Sequence, residues 1–131
     1  LAWDLYNIPH HCSYLALSDE KGEFETTPKP LVEELLLSGK EGAYIVSSSC
    51  PILDTKEGRE QTQPPHVQAK KSYETYRKKT GGAKLLVTME EPNATKPEPL
   101  EFKVDSQGLS LARAAASAAS VIISKPAPRA G

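Results

Sequence analysis

Apolar and polar residues change rhythm several times along this chain, and each rhythm predicts an element. In residues 1–9, LAWDLYNIP, Leu1, Leu5 and Ile8 have helical spacing, but Pro9 ends any helix there, which leaves an N-terminal arm. The run Ser13 to Leu17, the turn Asp19-Glu20-Lys21-Gly22 and the alternating Glu23 to Thr26 predict a β-hairpin. Lys29-Pro30 opens a short helix from Leu31 to Ser38, with acidic residues early and Gly39 as its C-cap. Ala43 to Ser49 reads as a strand, and residues 50–66 as a polar loop.

Residues 67–80 fit two periods. As a helix they gather Ala69, Tyr73, Tyr76 and Thr80 into one stripe and set Glu74 four residues before Lys78. As a strand, Ser72 to Arg77 turns at Gly81-Gly82 and pairs with Lys84 to Met89. Periodicity alone leaves both open. Lys84 to Met89 and Glu101 to Asp105 read as strands, separated by a Pro-rich loop. Leu109 to Ser124 reads as a helix whose serines and Arg113 make a narrow polar stripe on an Ala-rich cylinder. The expected fold is α+β: a mainly antiparallel sheet flanked by helices in a single domain, 1–131, with 1–9 as an arm and 125–131 as a flexible tail.

Composition narrows the function classes. The chain has 131 residues and a formal net charge of -1, which is near the size of one domain and far from the charge of a disordered tail. The charge is uneven. Residues 1–60 hold 11 Asp/Glu and 5 Lys/Arg (−6), and residues 61–131 hold 6 and 11 (+5). Such polarity orients a protein against a charged partner or attracts one half to the other. No stretch reaches the ~18–20 apolar residues of a membrane-spanning helix. Two cysteines fall short of a disulfide scaffold, which weights the reading toward the cytoplasm.

The candidate chemistry is sparse. His10-His11-Cys12 with Cys50 and His66 supplies metal-ligand types, but without the tight pairs of a zinc site. Cys50 with His66 or Asp54 could make a thiol nucleophile and its base. No Walker loop, G-x-G-x-x-G or G-x-S-x-G occurs. The expectation is therefore no catalytic residue, no metal and no cofactor. Lys70, Lys71, Arg77, Lys78, Lys79 and Lys84, interleaved with Tyr73 and Tyr76, form the main charge feature. They suit an anionic protein surface, with nucleic acid the less favoured partner. Their bland reading is a solvated basic face over core tyrosines. Trp3 and Tyr6, three apart, would make an aromatic groove for a proline-rich segment if one helical turn held them, or would simply cover the core.

Trp3-x-x-Tyr6 at the N-terminus, the helix Lys29-Pro30-Leu31-Val32-Glu33-Glu34, the run Lys78-Lys79-Thr80-Gly81 with Leu85-Leu86-Val87 and Glu90-Glu91-Pro92, and the closing helix together resemble profilins. That resemblance implies β structure over residues 71–90, poly-proline binding at Trp3 and Tyr6, and a basic run near the surface that profilins present to actin. The functional expectation is a non-enzymatic protein-binding module. Its alternatives are an accessory subunit of a larger protein or protein–nucleic-acid assembly, or a small Cys/His-dependent enzyme.

Overall fold

The computed structural model describes residues 2–112. The arm expected at the N-terminus is strand β1 (Trp3–Ile8). Helix α1 (Pro30–Leu36) starts at the proline, as read, and strand β2 is Gly39–Ser47. A short helix, α2 (Lys56–Glu60), lies within the expected loop, and Thr55 caps it by accepting from the Gly58 N–H. Helix α3 (Val67–Thr80) leads to strand β3 (Lys84–Val87), and strands β4 (Phe102–Asp105) and β5 (Gly108–Leu111) close the described chain.

Residues 67–80 are helical, and the Gly81-Gly82 pair serves that helix. Gly81 takes φ +75° and its N–H bonds the carbonyls at the helix end, a left-handed C-cap rather than a hairpin turn. Arg77, Lys78 and Lys79 occupy the last turn, where the helix dipole favours cations. Most of the stripe read from the sequence points inward: Ala69, Tyr73 and Tyr76 are buried, and Thr80 is half-buried. The β structure that the profilin resemblance implies over 71–90 is confined to β3.

The sheet overturns the expectation of a mainly antiparallel arrangement. β1, β2 and β3 lie in that order and all run parallel; among the described residues only β4 and β5 pair antiparallel, in a separate two-stranded sheet. Each parallel neighbour follows a crossover that carries a helix, α1 before β2 and α3 before β3. The apolar runs of β2 and β3 match this topology, since parallel strands bury residues on both faces and lose their alternation. Ala43, Ile45, Val46 and Ser47 are consecutively buried but for half-buried Tyr44, and so are Leu86 and Val87. The hairpin expected across 13–26 is absent. A 3-10 turn occupies Tyr14–Ala16 instead, and Lys29 N–H bonds the Leu17 carbonyl. The closing helix is corrected at its start, where Gly108–Leu111 is β5. Its remainder beyond residue 112, and the tail at 125–131, lie outside the described residues.

In register, Tyr6, Ile45 and Leu85 stand side by side on one face, as do Ile8, Ser47 and Val87. That face meets α3 and α1 in one core with Leu36, Ala69, Tyr73 and Tyr76. Sequential right-handed crossovers place both helices on the same side of such a sheet. The opposite face receives Phe102 of β4, whose ring stands edge-on to Tyr44 at 5.3 Å. Among the described residues no helix is long and apolar enough to cross a membrane.

Tyr73 is fully buried, and its hydroxyl has no hydrogen-bond partner among the described residues. Tyr73→Ala should therefore cost about 3–5 kcal/mol in urea unfolding. Tyr73→Phe keeps the ring and removes an unpaired polar atom, so it should be neutral or stabilising. A loss above about 1 kcal/mol for Tyr73→Phe would show that the hydroxyl is bonded after all.

Candidate functional site

In open parallel sheets the carboxyl ends of the strands are the usual place for a ligand. Here that rim collects the His and Cys residues singled out above. β1 ends at Ile8, and His10, His11 and Cys12 then hold φ of 54°, 52° and 69°. Three successive non-glycine residues in the left-handed region store roughly 1–3 kcal/mol of strain each. Neighbouring elements hold them there. The His66 N–H, at the start of α3, donates to the Cys12 carbonyl (2.9 Å), and His11 Nδ1 donates to the Ser48 carbonyl (2.8 Å) just past β2.

The same contacts decide what these groups can do. His66 is buried with both ring nitrogens engaged: Nδ1 accepts from the Tyr14 N–H (3.2 Å) and Nε2–H donates to the Thr62 carbonyl (2.9 Å). It is a fastener between α3 and the turn after β1, not a base held beside Cys50. Cys12 is fully buried, and burial pushes its thiol up to about 12, only partly offset by the Ser47 hydroxyl and the Lys70 charge. It is inert as a nucleophile. Ser47 and Ser49 bond each other (2.7 Å), while Cys50, His10 and His11 are exposed. Among the described residues no group of three or more His, Cys, Asp or Glu is placed to hold a metal ion.

The six cations of the basic run are not one open patch. Lys71 pairs with Asp54 (2.8 Å), Arg77 pairs with Glu74 and also donates to the Gly82 carbonyl, and Lys79 sits 4.7 Å over the Tyr76 ring. Lys70 and Lys78 border a groove of about 400 Å³ that Glu25, Asp54 and Glu74 also line, so acids meet cations there. Lys84 stands exposed at the start of β3.

Trp3 and Tyr6 are together, with ring centroids 5.3 Å apart, but on a strand rather than a helical turn. Regular alternation would send them to opposite faces; the register between β1 and β2 breaks between Trp3 and Leu5. Tyr6 continues to Tyr73 at 5.9 Å, and the Trp3 indole N–H donates to the Leu35 carbonyl (2.8 Å). Trp3 also lies over Gly39, where an added Cβ would come within 2.6 Å of the ring. Both rings are half-buried against the core.

A surface not singled out in the sequence is the outer side of α1. Leu36 is buried and Val32 half-buried, yet Leu31 is 81% exposed, Leu35 43% and, just beyond the helix, Leu37 48%. Leu31 and Leu35, four apart, form one apolar strip. The signal was present: Leu31-Val32-Glu33-Glu34-Leu35-Leu36-Leu37 is apolar on more sides than one core contact can cover.

In the native protein an alkylating reagent should modify Cys50 and spare Cys12 until the chain unfolds; mass spectrometry showing both modified at equal rates would contradict the burial of Cys12. The raised Cys12 thiol also sets a pH dependence. Folded, it holds its proton more tightly than unfolded, so its stabilisation is complete below the unfolded value of 9.0 and is lost as pH rises toward about 12. The urea midpoint should fall between pH 9 and 11, and fall less steeply in Cys12→Ala. No family model, curated protein or solved structure matches the chain.

Proposed function

We propose that this chain is a non-enzymatic protein-binding module that docks through the leucine face of α1. The supporting observation is the strip of Leu31 and Leu35, extended by Leu37, on a helix whose other side is already committed to the core. Isolated exposed leucines are ordinary, but neighbouring ones on a single helix face suit the helix-in-groove mode of recognition. The chemistry of the rim favours the same reading. Cys12 is protonated and buried, and His66 spends both nitrogens on the main chain, so these two residues do not form an activated nucleophile with its base. An accessory role in a larger assembly is the natural form of such a module, because an apolar face of this kind is stabilised when a partner covers it.

The double variant Leu31→Lys, Leu35→Lys tests this. Both side chains point outward, so thermal unfolding should change little. A partner protein co-purified from the native source should bind the variant at least about 100-fold more weakly, since burying a leucine contributes roughly 1.5 kcal/mol or more. Equal affinity of the two chains for that partner, measured by calorimetry, would remove the proposal.

A further inference from the structure

The loop from Lys21 to Thr26 doubles back on itself. Gly22 holds φ +81°, and a side chain there would run into the Glu25 carbonyl. Thr26 ties the loop shut: its hydroxyl donates to the Lys21 carbonyl (2.6 Å) and its N–H to the Gln68 carbonyl (3.1 Å). The Gln68 side chain, 1% exposed on α3, joins two walls by donating from Nε2 to the carbonyls of Glu23 (3.1 Å) and Arg59 (2.9 Å). Those two bonds set the orientation of the amide and leave Oε1 a buried acceptor with no donor among the described residues. Between the walls lies a cavity of about 340 Å³ with Gln68 in its lining. That is within the range of small-ligand pockets, roughly 300–1,000 Å³.

The rim of this cavity has its own character. The Phe24 ring is 53% exposed, with the Arg59 guanidinium 5.3 Å from its centroid. Lys21 and Lys56 line the same cavity; Lys21 Nζ reaches the Gln61 carbonyl, and neither lysine has a carboxylate partner among the described residues. With Glu23 and Glu60 also present, three cations face two carboxylates. That small positive excess suits one phosphate better than a polyphosphate. An exposed ring beside cations is a stacking platform for a base with an anion attached.

We propose that this cavity binds a mononucleotide. The base stacks on Phe24 and the phosphate sits beside Lys21 and Lys56, while Gln68 holds the two walls apart through its bonds to the Glu23 and Arg59 carbonyls. The site shares no residue with the leucine face of α1, so the two proposals stand or fall separately.

Calorimetric titration of the intact chain with the four nucleoside monophosphates tests it, with inorganic phosphate as a separate arm. At least one nucleotide should bind saturably, and Phe24→Ala and Lys56→Ala should each weaken it tenfold or more. Both side chains are exposed, so the thermal unfolding of these variants should match that of the parent chain. Absence of saturable nucleotide binding at millimolar concentration, equal binding of inorganic phosphate alone, or undiminished binding by both variants would overturn the site.

Discussion

The contact between α3 and the inner face of the parallel sheet is the constraint on which the other features depend. Tyr73 is fully buried there and meets Tyr6 of β1 at 5.9 Å, while Ala69 and Tyr76 extend the same helical face over the core that Ile45 and Val87 also enter. The helix is pinned at both ends. His66 fastens its start to the turn after β1, and the Gly81 cap directs the chain into β3, where the Ala83 N–H bonds the Ala43 carbonyl (2.7 Å). The crossover therefore sets the register of β3 on β2.

That arrangement also accounts for the residues that looked chemically capable. The thiol of Cys12 and the imidazole of His66 lie where three elements converge, and each is consumed in holding them together. The left-handed turn at His10–Cys12 persists because β2 and α3 both bond to it. The basic run divides in the same way. Part of it stabilises the helix end, part pairs with Asp54 and Glu74, and only the remainder faces solvent.

The surfaces proposed for recognition are ones that the core leaves unused. α1 has two apolar sides: Leu36 serves the core, and the side chains of Leu31 and Leu35 remain exposed. The cavity at Gln68 arises from a loop closed by Gly22 and Thr26, in which main-chain bonds position side chains that share no sequence motif.

The sequence by itself determined the local elements whose signals are local. Pro30 starts α1, and the apolar runs read at 43–49 and 84–89 are strands as far as Ser47 and Val87, whereas the stripe of Ala69, Tyr73 and Tyr76 fitted a helix and left a strand equally open. Tertiary structure decided the direction of the strands, because one run of apolar residues satisfies either pairing and only the crossover through α3 makes β2 and β3 parallel. It decided the part played by Gly81-Gly82, which can close a hairpin or cap a helix with the same positive φ. It decided the site as well: Phe24, Lys56 and Gln68 are far apart in the chain, and only folding brings a loop, α2 and α3 around one cavity.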